Sequence, residues 1–298
     1  MSQKRDRLRM LRTEANVSVK MAANALGLNR SSWYYHTKPT EKKRSHRALD
    51  PRLVRQLQGL SGFELTLGYR KTAAHLASEF ETRYNHKKIF RHMKSLKLLQ
   101  PKHIKKPKKQ PSPSVTWYCP LRSNQRWEAD LTVVSCQEGH LYLFSVIDVY
   151  DKELIGSWFG FRCRKEEAIE ALKQAVHTRF PSGIVNGTQL ILRLDRGCQF
   201  TAAEFGSAAR AFGINIEFCD VQAPNQKPFI ESFFSNFKRE EVYRNEYQNP
   251  IQAFAAWSRY LLWYNTKRPH GSLNNLSPVQ FRSLPQKGVS QPLILASC

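Results

Sequence analysis

No segment of this sequence is long and apolar enough to cross a bilayer, because it contains no run of about 18 apolar residues. The first residues, MSQKRDRLRMLRTEANVS, also lack the apolar core of a signal peptide. The six cysteines are scattered through the chain without a CxxC pair, which excludes a zinc ribbon and argues against a disulfide scaffold. These absences predict a protein of the reducing cytoplasm that does not use a membrane.

Acidic residues are scarce in the first part of the chain. The whole sequence has 298 residues, with 47 Lys and Arg against 24 Asp and Glu, and a formal net charge of +23. Residues 1–123 hold 28 of the basic and 7 of the acidic residues, whereas residues 124–298 are almost balanced, with 19 and 17. An excess concentrated in this way predicts that the first part binds the phosphates of nucleic acid. A set of merely solvated helix faces is the simpler alternative.

Residues 1–38 predict a small helix-turn-helix-like unit. Gly27 interrupts a helical apolar spacing, and Asn29 can cap a second helix that carries Trp33 and Tyr34. A helix, a short turn with Gly and a second helix form the outline of a DNA-binding motif, an outline that other helical hairpins share. The apolar residues of the first helix are Val17, Val19, Ala22, Ala23, Leu26 and Leu28.

Residues 41–100 predict a second helical DNA-binding unit. Asp50-Pro51 is a typical helix start, and Asn85 can cap a last helix over HKKIFRHMKSLKLL, in which Phe90 is among the residues expected to face inward. The outer side of that helix is basic, so it is either a candidate recognition helix or a solvated basic face. The basic residues expected to bind DNA are Lys87, Lys88, Arg91 and Lys94.

The pattern of the sequence changes after a linker. Residues 101–123 are rich in Pro and Lys and have no apolar period, which is typical of a linker whose lysines can follow a DNA backbone. From residue 124 strand and helix signals follow in the order β-β-β-α-β-α-β-α. Residues 124–283 therefore predict an α/β domain with a five-stranded sheet, helices on both faces and a C-terminal helix, and residues 284–298 form a tail.

Three carboxylates occupy positions where an acid is costly without a cation. Asp130 interrupts the strand RWEADLTVVSC, Asp195 closes the strand LILRLD, and Glu231 opens a helix. If the two strands are neighbours, the aspartates converge at one edge of the sheet and the helix brings the Glu. Hard oxygen donors without His or Cys suit Mg²⁺ or Mn²⁺, and two such ions about 3.5–4 Å apart stabilise the attacking and leaving oxygens of phosphodiester chemistry. Asp148 also lies on a predicted strand, where a turn or hydrogen-bonding role is favoured over metal binding.

These residues and their neighbours resemble a known family. Asp130, Asp195 and Glu231, with 35 residues between the last two, are similar to the acidic triad of DDE transposases and retroviral integrases. The segments WEADLT, VIDVYDKELIG, LDRGCQFT, FIESFFSNFKREEVY and YNTKRPHGSLNNLSP resemble the second-frame (OrfB-type) protein of two-frame bacterial insertion sequences, and the likeness covers nearly the whole chain. The resemblance implies a ribonuclease H-like fold with a mixed sheet, in a bacterial, nucleoid-associated protein.

The same resemblance implies a transposase that cleaves and transfers DNA strands with two Mg²⁺ or Mn²⁺ ions. Asp130, Asp195 and Glu231 would be its catalytic residues and its metal ligands. Further residues of the family's motifs would contact DNA, namely Lys238, Gln199 and Arg268. Others would support the site structurally, with a tight turn expected at the first of them, namely Gly197, Asn225, Tyr264, Asn265 and His270.

The family also implies partners. Its active transposase is usually a frameshifted fusion with a first-frame product that carries a leucine zipper, and residues 1–60 contain no heptad run. The chain is therefore expected to work with that product or fusion and to pair two DNA ends as a homo-oligomer. Its substrate would be double-stranded DNA, both the element's terminal inverted repeats and the target.

The sequence departs from the family's pattern at three places. Arg193 stands where His is frequent, Cys198 stands where Ser is common, and residues 225–228 read NQKP where an Asp-Asn-Ala word is common. The altered loop and the basic first half support a second interpretation, a catalytically decayed DNA-binding protein that regulates or inhibits the element. A ribonuclease H-like nuclease that acts on RNA–DNA hybrids is a third.

Overall fold

The structure is a computed structural model that describes residues 2–32, 48–101, 120–183, 189–220 and 226–285. It forms two compact units, residues 1–50 and residues 51–298. Several predictions lie outside the described residues: the helix with Trp33 and Tyr34, nearly all of the linker, Asn225 and most of the tail. No helix of the described part is long and apolar enough to span a membrane.

The described residues of the first unit form two α-helices and a 3₁₀ turn. They are α1 (Ser2–Ala15), α2 (Val19–Ala25) and the turn Arg30–Ser32. Ser18 begins α2, because its hydroxyl accepts a hydrogen bond of 3.4 Å from the N–H of Met21. Gly27 follows α2 with φ +60°, a left-handed conformation that glycine adopts without strain. The predicted turn glycine therefore follows a helix, and Asn29 is followed by the 3₁₀ turn Arg30–Ser32.

The second unit begins with a helical segment. Its elements are α3 (Pro51–Gln58), a 3₁₀ turn (Gly62–Thr66), α4 (Tyr69–Phe80) and α5 (His86–Ser95). The predicted cap is present, since the Asn85 side chain accepts from the N–H of Lys87 at 2.9 Å. The inward position predicted for Phe90 is wrong. Its side chain is 42% exposed and meets the Tyr69 ring at 5.2 Å, because it lies one residue beyond the buried Ile89 and so points about 100° away around the helix.

A mixed five-stranded sheet forms the centre of the second unit. Its strands are β1 (Arg126–Cys136), β2 (Gly139–Asp148), β3 (Leu154–Gly160), β4 (Ile191–Leu194) and β5 (Asn215–Phe218). The order across the sheet is β3-β2-β1-β4-β5, with β1, β2 and β3 antiparallel and with β4 and β5 parallel to β1. The predicted number of strands and the mixed sheet are confirmed.

Helices cover both faces of this sheet, as predicted. The remaining helical elements are α6 (Lys165–Arg179), α7 (Cys198–Thr201), α8 (Ala203–Ala211), α9 (Pro228–Glu240), a 3₁₀ turn (Val242–Arg244), α10 (Pro250–Thr266), a 3₁₀ turn (Gly271–Leu273) and α11 (Pro278–Ser283). One apolar core lies between the sheet and α6 to α8, and another lies between the sheet and α9 and α10. Helix α6 approaches β3 so closely that a Cβ on Gly156 would lie 2.3 Å from the carbonyl oxygen of Ala171.

The helical segment of the second unit packs against the sheet domain. The Phe63 ring meets Tyr260 edge-on at 5.4 Å and lies 5.2 Å from Trp263, both on α10. The aromatic face of α10 is therefore covered by residues from before the linker. The domain boundaries given above remain predictions.

Candidate active site

The two predicted aspartates come from adjacent parallel strands. The pairing of β1 with β4 sets Glu128 opposite Arg193, and each of these residues lies two positions before an aspartate. Continued by two residues, the same register sets Asp130 beside Asp195. The structure thus brings these two carboxylates to one edge of the sheet because their strands are neighbours.

The aspartates share one cation, and that cation belongs to Lys227. Its ammonium nitrogen lies 3.0 Å from Oδ1 of Asp130 and 3.2 Å from Oδ2 of Asp195. The same nitrogen is 3.4 Å from the carbonyl oxygen of Ala129, and the lysine side chain is 7% exposed. Sequence reasoning noted this lysine only as part of an altered loop. No local pattern revealed its partners, which lie on two distant strands.

Glu231 lies in the first turn of α9, close enough to Asp130 and Lys227 for their charges to change its pKa. Burial and the charge of Asp130 raise its pKa, and the ammonium of Lys227 lowers it. Burial also raises the pKa of Asp130, against the lowering effect of Lys227. The triad and the lysine therefore form one electrostatic cluster.

The donors of this cluster fit a hard divalent cation. Asp130, Asp195 and Glu231 offer only carboxylate oxygens, and the aspartates already converge on one positive charge. Across the ranges that the structure describes, no group of three or more His, Cys, Asp or Glu side chains is arranged to hold a metal ion. The ammonium of Lys227 lies between the aspartate oxygens instead.

Glu128 attaches the start of α9 to the strand that carries Asp130. Its carboxylate accepts hydrogen bonds from the N–H groups of Phe229 at 3.0 Å and of Ile230 at 2.9 Å, which are free donors at a helix start. Burial raises the pKa of Glu128 to about 7, although these two hydrogen bonds lower it. Sequence reasoning missed this residue. A second acid, two positions before Asp130 on a buried strand, was the available signal.

The two departures at Arg193 and residues 225–228 are structurally linked. Arg193 donates to the carbonyl oxygen of Gln226 at 2.9 Å and to Glu217 at 2.5 Å. The Gln226 amide in turn donates to Asp220 at 2.7 Å and accepts from its N–H at 2.8 Å. The arginine in place of the usual histidine thus holds the backbone immediately before Lys227.

Gly197 and Gln199 lie beside Asp195, but the reason expected for the glycine is wrong. Gly197 has φ −59°, which any residue can adopt. Its N–H donates to the Asp195 carboxylate at 2.9 Å. A Cβ there would lie 2.4 Å from the Gln199 amide nitrogen and 3.0 Å from an Asp195 oxygen. The glycine therefore leaves space for these two side chains, and its backbone conformation does not depend on the absence of a Cβ.

Arg268 is not at the surface where a phosphate ligand is expected. Its guanidinium is 1% exposed and donates to both carboxylate oxygens of Glu240, at 2.8 and 2.7 Å. This bidentate pair lies inside the second unit between α9 and the chain that follows α10. The structure therefore corrects the expected phosphate contact to a buried ion pair.

The other C-terminal motif residues are buried or bonded to the sheet. The ring of His270 meets Tyr264 edge-on at 4.7 Å, and burial together with Arg268 lowers the His270 pKa to about 2, so the imidazole is neutral. Asn265 accepts from the N–H of Leu154 at 3.0 Å and donates to its carbonyl at 2.9 Å. These contacts fit the structural support expected of all three residues.

Asp148 makes hydrogen bonds at a turn, as favoured above. Its carboxylate accepts from the N–H groups of Asn124 at 2.7 Å and Tyr150 at 2.8 Å and from the indole N–H of Trp127 at 3.2 Å. Burial and the charge of Asp151 raise its pKa to about 7. The hydrogen-bond donors described for this carboxylate are N–H groups of this chain, which fits the favoured structural role.

The residues expected to bind DNA differ in exposure. Lys87 and Lys94 on α5 are exposed, whereas Lys88 and Arg91 are half-buried, and the Lys88 ammonium lies 5.0 Å from the centre of the Tyr84 ring. Lys238 on α9 is half-buried, two turns after Glu231. Their DNA contacts remain predictions.

The chain is similar to integrase core domains and to proteins of bacterial insertion elements. Two family models described as integrase core domain match it, one over residues 120–224 and one over residues 212–278. An uncharacterized 31 kDa protein of insertion element IS600 from Shigella sonnei is 33% identical over 172 residues, which are 55% of this chain and 59% of that protein. The putative transposase InsK for insertion sequence element IS150 from Escherichia coli is 25% identical over 267 residues, covering 87% and 91%. The chain thus spans less than two thirds of the first relative and nearly all of the second.

One solved structure has the same fold. It is the cryoEM structure of a simian T-cell lymphotropic virus intasome in complex with PP2A regulatory subunit B56 gamma, with a TM-score of 0.52 and 17% identity. The match covers 76% of this chain and 80% of that one. The sheet and its helices therefore have the ribonuclease H-like architecture of integrase cores.

Proposed function

Because this chain is a DDE transposase with an integrase core, of the kind that bacterial insertion sequences encode, we propose that it cuts and joins DNA at the ends of such an element. Asp130, Asp195 and Glu231 are its catalytic residues. The reaction is phosphodiester hydrolysis followed by transesterification. The substrate is double-stranded DNA with the element's terminal inverted repeats, together with the target.

One observation carries this proposal. Asp130 and Asp195, on neighbouring parallel strands, turn toward the same positive charge at 3.0 and 3.2 Å. Two carboxylates that face one point repel each other unless a cation or a proton lies between them, and here the cation is the Lys227 ammonium. Glu231 enters from the first turn of α9, which Glu128 attaches to the strand of Asp130. The three acids therefore come from separate elements, and the charge of Asp130 acts on Glu231.

The acids are the residues that would hold Mg²⁺ or Mn²⁺, in two sites. When bound there, the ions stabilise negative charge on the oxygens that attack and leave phosphorus. Water first attacks a phosphodiester at the element's end, and the P–O3′ bond breaks to give a 3′-hydroxyl and a 5′-phosphate. This 3′-hydroxyl then attacks a second phosphodiester, and the new P–O bond forms as the 3′-oxygen of that phosphodiester leaves as a hydroxyl. The carboxylates would position the ions for both reactions. No serine or tyrosine forms a covalent bond to DNA.

DNA contacts extend beyond the acids. Lys238, two turns after Glu231 on α9, is on the helix best positioned to reach a phosphate near the cut. The exposed basic residues of α5 bind phosphates farther along the duplex. Two ends are joined in an oligomer of this chain, together with the first-frame product or as its fusion.

Strand cleavage and transfer by the full chain test the proposal. Labelled terminal-repeat duplex is incubated with Mg²⁺ or Mn²⁺ and the wild type, Asp130→Asn, Glu231→Gln or the control Glu170→Gln, which changes an exposed acid on α6. We expect cut and joined products from the wild type and the control, and none from the two triad variants, which still bind DNA. If Glu231→Gln cuts as fast as the wild type, the proposal is contradicted. If the wild type cuts an RNA–DNA hybrid and not duplex DNA, the substrate is the hybrid.

A second candidate function is a regulatory DNA-binding protein without catalysis. The observation that favours it is the lysine ammonium between Asp130 and Asp195, where a divalent ion would have to bind. The same assay separates the two, since this candidate binds terminal repeats without cutting them. Adding the first-frame product distinguishes a decayed enzyme, which stays inactive, from an enzyme that lacks its partner.

A further inference from the structure

Lys227 occupies the cation position of the acidic cluster. Its nitrogen contacts Oδ1 of Asp130 and Oδ2 of Asp195, the two carboxylates that would hold a divalent ion. Oxygens bind Mg²⁺ at about 2.0–2.1 Å. An ammonium at 3.0 and 3.2 Å from both oxygens leaves no room for such an ion, and the two positive charges repel.

The backbone around Lys227 is held on both sides. Before it, the carbonyl oxygen of Gln226 accepts from Arg193. After it, Pro228 is the first residue of α9, and Glu128 binds the N–H groups of the next two residues. The lysine therefore enters the site from a fixed backbone.

The lysine side chain is the part that can move. It has four carbons with rotatable bonds, and it ends in a single point charge without the directional fork of arginine. A rotation about these bonds can remove the ammonium from between the aspartates while the backbone, and with it Glu231, stays in place. The exit of the lysine is therefore compatible with an intact acidic triad.

We propose that Lys227 is the resident cation of the acidic site and that a divalent ion binds only when it displaces the lysine ammonium. The inference rests on the proposed function, because it concerns the ions that the triad would bind. The lysine balances the two aspartates when no ion is present, and it lowers the affinity of the chain for divalent ions in the absence of DNA.

Binding of Mn²⁺ without DNA tests the competition directly. Free Mn²⁺ is measured by electron paramagnetic resonance for the wild type, Lys227→Gln and Lys173→Gln, which removes the same charge from an exposed position on α6. We expect Lys227→Gln to bind Mn²⁺ about tenfold more tightly than the wild type and Lys173→Gln to match the wild type. Equal affinity of all three proteins overturns the displacement.

The location of the bound ion is checked with Asp195→Asn. This change is expected to abolish the Mn²⁺ binding that Lys227→Gln gains when the two substitutions are combined. If neither the wild type nor Lys227→Gln binds Mn²⁺, the metal site of the proposed function fails together with the displacement. If both bind it equally, only the displacement fails.

A labelling experiment on the unmodified chain covers the case in which Lys227→Gln does not fold. Trace acetylation of lysines with acetic anhydride is measured by mass spectrometry with and without saturating Mn²⁺. The Lys227 amine is buried between two carboxylates, so we expect slow acetylation without the ion and an increase of several-fold with it, while exposed Lys173 is unchanged. Unchanged acetylation of Lys227 at saturating Mn²⁺ overturns the proposal.

Discussion

The carboxylate of Glu128 accepts a hydrogen bond of 2.9 Å from the backbone N–H of Ile230, the residue immediately before Glu231. Glu128 and Asp130 lie two residues apart on β1, and side chains so spaced share one face of a strand. The bond therefore aligns the helix that carries one member of the triad with the strand that carries another.

Replacing Glu128 with Gln tests this alignment. Both hydrogen bonds end on Oε2, so a Gln oxygen can accept them, but the amide lacks the negative charge that strengthens such bonds at a helix start, and the attachment of α9 weakens. We expect DNA cleavage to fall about 10–100-fold, which is the range for residues that orient metal ligands, with DNA affinity retained. Cleavage rate and DNA affinity are measured beside Glu170→Gln. A fall in DNA affinity equal to the fall in cleavage contradicts the positioning role.

The buried pair of Arg268 and Glu240 predicts a stability effect. Removing one member leaves an uncompensated charge inside the protein, so Arg268→Ala is expected to lower the free energy of unfolding by about 3–5 kcal/mol. The control is Lys267→Ala, since the Lys267 ammonium is exposed and lies 3.7 Å from Glu79. Urea unfolding gives both values. If Arg268→Ala loses DNA affinity while its free energy of unfolding is unchanged, Arg268 binds phosphate and the buried-pair role is wrong.

Asp148 predicts a pH dependence of stability. Its pKa is raised to about 7 in the folded chain, mainly by burial and then by Asp151, above its ordinary value near 3.8. Between these values the folded chain keeps a proton that the unfolded chain has released, so the contribution of Asp148 to stability falls as pH rises from about 4 to about 7.

The measurement is a comparison with Asp148→Asn. Unfolding free energies are determined by urea at intervals from pH 4 to pH 7 for both proteins. The wild type is expected to lose on the order of 1–3 kcal/mol more than the variant over this interval. Parallel curves for the two proteins refute the raised pKa, even if the variant is less stable at every pH.

The exposed lysines of α5 predict the salt dependence of DNA binding. Each phosphate contact that is lost reduces the slope of log K against log salt by about 0.9. Lys87→Gln and Lys94→Gln are each expected to reduce it by about that amount, and Lys173→Gln is expected to leave it unchanged. Fluorescence anisotropy with duplex DNA at several salt concentrations gives the slopes. An unchanged slope in both α5 variants means that this face is merely solvated.

Local signals were enough to predict that Asp130 and Asp195 meet. Asp130 interrupts an apolar strand and Asp195 ends one, and once the strands are neighbours their meeting follows from the parallel register. The five strands and the helices on both faces followed from alternating and helical apolar patterns in the same way. These features depend on neighbours in sequence or on general rules of sheet topology.

Other features depend on partners that no local pattern reveals. Arg268 is the residue type expected of a phosphate ligand, and only the fold brings the Glu240 carboxylate against one edge of its guanidinium. In the sequence Lys227 looks like an ordinary loop lysine. It is a buried cation only because β1 and β4 bring Asp130 and Asp195 together. In both cases a long basic side chain serves an internal carboxylate, which an exposed position would not require.

The hydrogen bonds of Asn265 protect an edge strand from pairing with a second molecule. Strand β3 lies at the border of the sheet, where free N–H and C=O groups invite pairing with a strand from a neighbouring molecule. The Asn265 amide uses both backbone groups of Leu154, the first residue of that strand. A side chain of α10 thus takes the role of a missing strand and removes a starting point for aggregation.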